Sequence, residues 1–171
     1  MKITYRKNRG DHIDRVRAEW AGERPGLDTT PIEVVARIGR LARLIDIRLN
    51  SVFAEHGIRR DGFDVLAALR RSGPPYRLSP TDLYTRLMRT SGAVSNRLRR
   101  LEDAGLVRRV RDPSDGRGLL VELTAEGRAI VDAVAEPHMD NERRMIAALS
   151  PDDQETLARL LRKLLLSLDD E

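Results

Sequence analysis

The sequence predicts a mainly α-helical chain carrying one small β-hairpin. Three observations lead there. Apolar residues recur at three- and four-residue spacing through most of the chain, behind Ser/Thr-Pro helix starts. That period is lost at Leu106, where a Val/Arg-rich run begins. A dense set of turn formers, Asp112-Pro113-Ser114-Asp115-Gly116-Arg117-Gly118, then separates this run from Leu119–Leu123.

In chain order, residues 1–29 are polar, with one helix expected around Asp11–Ala21 carrying the only tryptophan, Trp20, and broken by Gly22, Pro25 and Gly26. Thr30 as N-cap, Pro31 at the first helical position and Glu33 open a second helix to about residue 53. Its stripe is Ile32, Val35, Ile38, Ala42, Ile45 and Leu49, and Gly57 ends the segment. A third helix over Asp61–Arg71 turns Phe63, Leu66 and Leu69 inward before Ser72-Gly73-Pro74-Pro75. Ser79-Pro80 with Asp82 starts a short helix with Leu83 and Leu87 on one face. Thr90-Ser91-Gly92 starts the next, with Val94, Leu98, Leu101 and Ala104 inward and Gly105 as its stop. After the hairpin, Thr124 caps a long helix that Pro137 is expected to kink or divide. Ser150, Pro151 and Asp153 start the last helix. There, Leu157, Leu160, Leu161, Leu164, Leu165 and Leu168 form a broader apolar face than a thin domain can cover, which suggests a core shared between two subunits.

Composition narrows the function. With 171 residues, 40% hydrophobic and 34% charged, the chain suits one domain or a small module with helical extensions, and no apolar run is long enough for a bilayer. No cysteine is present, which removes disulfides, thiol switches and Cys-ligated metals. The first residues are charged with no apolar signal core, so a cytoplasmic location is expected. Residues 76–124 hold ten arginines against six acids, whereas residues 125–171 hold six bases against eleven acids. An anionic partner is therefore expected for the middle alone. His12, His56 and His138 stand apart, with no hydrolase, metalloprotease or phosphate-loop pattern, so neither an enzyme nor a cofactor is expected.

Two short helices joined by a tight turn and followed by a basic hairpin describe a winged helix–turn–helix. A helix of about 14 residues fits the DNA major groove, N-terminus first, where free N–H groups favour phosphate. With Val94, Leu98 and Leu101 inside, the residues left outward are Thr90, Ser91, Gly92, Ser95, Asn96 and Arg99, with Arg100 at the boundary. Arg108 and Arg109 flank the hairpin, and Arg111, Asp115 and Arg117 stand at its tip, slender enough for a minor groove. Asp115 and Arg117 can equally pair to stiffen the loop.

Leu83-Tyr84 through Ser91-Gly92, Asn96-Arg97-Leu98, Leu101–Val107, and the hairpin signature Asp115-x-Arg117 before Leu123-Thr124 and Gly127 resemble the MarR family of bacterial regulators. The resemblance covers about residues 30–168. It implies a homodimer on a palindromic operator in double-stranded DNA, with repression relieved by a small ligand. Residues 61–124 would be the DNA-binding domain, and residues 1–60 and 125–171 the helical dimerisation region. Residues 61–71 and the extra N-terminal helix resemble a urate-responsive subgroup. Its ligand set of a Trp and an Asn on the first helix, an Asp, and an Arg beside the recognition face implies Trp20, Asp64 and Arg97 here. The Asn position is Arg24, a departure that suits a di- or tricarboxylate better than urate. Arg97 borders the buried stripe, so it can equally form a structural pair with Asp64 or reach a phosphate, and Trp20 can equally be a core anchor. Two other readings remain open: a metal-responsive winged-helix regulator using the three histidines, and a winged helix used only for protein–protein assembly.

Overall fold

The structure, a computed structural model, describes residues 10–88, 91–115 and 118–169. Its elements are α1 (His12–Glu23), α2 (Thr30–Glu55), α3 (Arg60–Arg71), β1 (Arg77–Leu78), α4 (Pro80–Leu87), α5 (Ser91–Asp103), β2 (Val107–Arg111), β3 (Leu119–Leu123), α6 (Ala125–Ile146) and α7 (Pro151–Asp169). The chain separates into two compact units, Met1–Ile47 and Arg48–Glu171.

In the first unit, Asp11 and Asp14 form a reciprocal cap on α1: the Asp11 carboxylate accepts from the Ile13 and Asp14 amides, and Asp14 accepts from the Asp11 amide at 2.6 Å. The same two acids receive Arg37 of α2, at 2.8 Å from its Nε to Asp11 and 2.6 Å from its Nη2 to Asp14. Arg17 adds an ion pair to Glu33, so α1 is clasped to α2 by charge while Ile13 is its one buried residue. The start of α2 differs from the expected Thr30 cap. Thr30 is already helical, and its amide donates to the Asp28 carboxylate at 2.9 Å. A carboxylate is the stronger acceptor, which moves the capping role upstream.

In the second unit, α3 is the hub. Val65, Leu66, Ala68 and Leu69 are fully buried. Around them pack Leu49 and Phe53 from the end of α2, Leu83 of α4, Val94, Leu98 and Leu101 of α5, Val107, Val121 and Leu123 of the sheet, and Val131 and Val134 of α6. Leu49, Leu66, Leu69, Leu83, Val94, Leu98 and Leu101 are among the inward positions the sequence predicts. Ala104 is the exception: it lies past the end of α5 and is exposed, because Gly105 (φ 70°) turns the chain there. Gly127 is required for a different reason: a Cβ on it would run into the Leu106 carbonyl, with Leu123 a further 2.9 Å neighbour.

The hairpin is part of a three-stranded antiparallel sheet, order β1-β3-β2. The sequence does not announce β1, whose two residues are too few to show alternation. Pro137 does not divide the helix that holds it. It sits inside α6, which continues undivided to Ile146. Beyond it, Asn141 is buried and its Nδ2 donates to the Arg48 carbonyl at 2.9 Å, anchoring the second half. The remaining difference is coverage. Of the α2 stripe only Leu49 is buried and Val35 is 67% exposed; α7 buries no residue, in keeping with an apolar face too broad for one domain to cover.

The clasp on α1 sets a pH dependence. The Arg37 hydrogen bond, opposed by partial desolvation, holds the Asp11 carboxyl down at about 2. A depressed acid contributes stability above its unfolded value near 3.8, and that contribution fades as pH falls towards 2. Acid titration followed by Trp20 fluorescence should therefore show a transition in this window, and Arg37→Gln should move it to higher pH.

Candidate nucleic-acid interface

The helix pair is built by its caps. Ser79 Oγ accepts from the Asp82 amide at 3.1 Å, and the Asp82 carboxylate accepts from the Ser79 amide at 3.3 Å, which fixes the first turn of α4. Met88 closes that helix in the left-handed region (φ 47°) and turns the chain towards α5. Burying Val94, Leu98 and Leu101 against α3 leaves Gly92, Ser95, Asn96, Arg99 and Arg100 exposed on the opposite side of α5. No acidic residue occupies the first turn of α5, so the positive end of its dipole is not cancelled locally. Thr90 lies outside the described residues; Ser91 begins the helix.

These polar side chains are partly organised among themselves. Arg99 Nη2 donates to Asn96 Oδ1 at 3.0 Å, and the Tyr84 hydroxyl lies 3.4 Å from Ser95 Oγ. Arg100 reaches back instead, donating to Asp61 at 3.1 Å.

The loop between β2 and β3 is held by Asp112. Its carboxylate accepts from the Ser114 hydroxyl at 2.7 Å and amide at 2.8 Å, bonds that pull its pKa below the ordinary aspartate value. Its own amide donates to the Gly118 carbonyl at 2.9 Å, and the Gly118 amide to Asp115 O at 2.8 Å. The sequence marks Asp112 only as a turn former. Arg111 and Asp115 are exposed on this loop, and Arg117 falls outside the described residues. Two of the hairpin arginines are committed elsewhere: Arg108 to Glu122, and Arg109 Nε to Glu102 of α5 at 2.9 Å. The cationic face of the hairpin is therefore sparser than an arginine count implies.

The expected ligand set is distributed. Trp20 (41% exposed) and Arg24, the C-cap of α1, belong to the first unit; Asp64 and Arg97 belong to the second. Asp64 lines a cavity of about 610 Å³ whose wall includes Arg70, Arg71, Arg86, Asp132 and His138. Arg97, 15% exposed in its side chain, lines a smaller one of about 160 Å³ with Asp61 and Arg100. The carboxylate beside Arg97 is that of Asp61, 3.5 Å from its Nε and one helical turn before Asp64. Sequence spacing could not separate two aspartates on the same helix. Among the described residues, no group of three His, Asp or Glu side chains is placed to hold a metal. The His138 ring packs against Phe53 and Phe63, with centroids 5.2 and 5.7 Å away.

A model of the MarR family matches residues 56–118. The HTH-type transcriptional regulator PecS of Dickeya dadantii is 38% identical over 143 residues, spanning 84% of this chain and 86% of that protein. The chain belongs to the MarR family. Solved MarR-family structures agree. AbsC from Streptomyces coelicolor superposes with a TM-score of 0.75 at 28% identity, covering 85% of this chain and 99% of its own. Sco3205 from the same organism, solved in complex with DNA, gives 0.73 at 29%, covering 83% and 94%. The winged helix–turn–helix of this MarR-family chain is thus the α4–α5 pair with the β1-β3-β2 sheet.

Because Asp61 takes both Arg97 and Arg100, it ties α5 to α3. Asp61→Asn should destabilise the chain by about 1–2 kcal/mol, between the values for exposed and buried ion pairs. Urea denaturation measures this, and an unchanged midpoint would show that the tie contributes nothing.

Proposed function

We propose that this chain is a transcriptional repressor that binds a palindromic operator in double-stranded DNA as a homodimer and is released by a small anionic metabolite. The observation that carries the reading is the outward half of α5. Gly92 permits close approach, Ser95, Asn96 and Arg99 offer hydrogen-bonding groups, and no acid in the first turn of α5 opposes an anion at its N-terminus. Thr90, Ser91, Arg100, Arg111, Asp115 and Arg117 are the further residues proposed to contact DNA, the last three in the minor groove. The DNA complex of the similar Sco3205 supports this use of the fold.

Residues 61–124 act as the DNA-binding domain and residues 1–60 with 125–171 as the dimerisation region. Supporting the dimer, Val34, Val35, Leu41 and Ile47 of α2 and Leu160, Leu165 and Leu168 of α7 are all more than half exposed in the single chain. Apolar surface on that scale is unfavourable in water until a second copy covers it. Two copies of α5 would then lie about one DNA turn, roughly 34 Å, apart. The effector is urate-like or a di- or tricarboxylate, with the cavity beside Asp64 as its proposed seat and Trp20, Arg24 and Arg97 as the other residues whose replacement should alter the response. Three arginines against two aspartates line that cavity, a balance that favours an anion there. The protein works in the cytoplasm.

Light scattering on the purified chain should give a dimer at micromolar concentration; a stable monomer overturns that part. Selection from a random duplex pool should enrich an inverted repeat. Its affinity should fall with salt by a slope of about −0.9 per neutralised phosphate, and Arg111→Ala should reduce the magnitude of that slope by about one such unit. Absence of an enriched repeat, or a salt-insensitive interaction, favours an assembly module instead.

A further inference from the structure

Among the described residues, Glu122 is the one buried charged side chain, 6% exposed. It sits mid-strand in β3 between Val121 and Leu123, which face the core, so it points to the opposite side of the sheet. In the register of the sheet, its direct partner is Arg77 on β1 and Arg108 on β2. Directly opposed residues share a face, so Arg77, Glu122 and Arg108 form one row across all three strands. Each arginine takes its own carboxylate oxygen: Arg108 Nε donates to Oε1 at 2.6 Å, and Arg77 Nε to Oε2. Burial alone would push this carboxyl up, but the two guanidinium groups outweigh that and hold it below the usual glutamate value.

The position of this row matters more than its strength. β1 is two residues long and leads through Ser79 directly into α4, the first helix of the helix–turn–helix. β2 and β3 are the wing. Backbone pairing over two residues, with the Leu123 amide donating to the Tyr76 carbonyl at 3.1 Å, is a short tether, and the row adds a side-chain link between the wing and the entry to the helix pair. We propose that Glu122 is a positioning residue for DNA recognition: by joining Arg77 to Arg108 it fixes the wing against the helix pair, so that both meet a duplex in one register. This rests on the DNA-binding reading above.

The test compares full-length wild type, Glu122→Gln and Arg77→Gln by fluorescence anisotropy at fixed salt. The probes are the inverted-repeat duplex recovered by the wild type and a scrambled duplex of the same composition. Glu122→Gln removes a negative charge, so binding to the scrambled duplex should hold or tighten. Binding to the recovered duplex should weaken about tenfold, comparable to losing one base contact. Arg77→Gln breaks the row from the β1 side, keeps Arg108, and should also lower the ratio of recovered to scrambled affinity. If Glu122 only tempers the charge of the wing, Glu122→Gln tightens both duplexes alike and the unchanged ratio overturns the proposal. Should circular dichroism show Glu122→Gln unfolded, Arg77→Gln decides, and an unchanged ratio there overturns it equally. A wild type that recovers no duplex defeats the DNA-binding reading and this inference together; a wild type that recovers one while both variants keep its ratio defeats this inference alone.

Discussion

The burial of α3 is the constraint on which the second unit depends. Val65, Leu66, Ala68 and Leu69 leave no surface to solvent, and α4, α5, β3 and α6 find their orientation by covering the sides of this helix. Close packing of this kind tolerates little rotation of its neighbours. The consequence for α5 is direct. With Val94 and Leu98 committed to α3, the rotation of α5 about its own axis is set, and Asn96 and Arg99 are exposed as a result. The surface offered to a partner is thus the complement of the core.

Charge does the work at the joints between elements. Arg37 clasps α1 to α2, Arg97 and Arg100 join α5 to α3 through Asp61, Arg109 joins β2 to α5, and Arg77 and Arg108 meet on Glu122. Arg70 and Arg128 both pair with Asp132 and both lie over the Tyr76 ring, at 5.2 and 5.3 Å. A planar guanidinium can serve two acceptors or an acceptor and a ring at once, which a lysine cannot do in the same way. Many of the described arginines are therefore committed to internal ties, while Arg111 remains exposed on the hairpin.

What was legible in the sequence follows from this division. Helix starts such as Ser79-Pro80 with Asp82, and the stripes of α3 and α5, are local patterns set by the helical period, and they could be read directly. The choice between Asp61 and Asp64 beside Arg97 was not local. It depends on how α5 crosses α3, and one helical turn on α3 moves a carboxylate from one cavity to another. Glu122 gave no signal because an acid within a strand reads as a solvent-facing residue until its two cross-strand partners are known. The same holds for Arg108 and Arg109, which look like outward cations in sequence and are ion-paired in the fold. The long apolar faces of α2 and α7 were legible as faces, and the width of the α7 stripe already exceeded what one domain covers; the exposure of the α2 stripe could be seen only in the fold.

The two-part grip, by the front of α5 and the hairpin beside it, is the claim on which the functional account stands. Amide hydrogen exchange on the full chain, with and without its duplex, addresses it most directly. Slowed exchange confined to the first turns of α5 and the loop joining β2 to β3 is the outcome predicted. Unchanged exchange in both segments, with protection appearing on α2 or α7 instead, would contradict it.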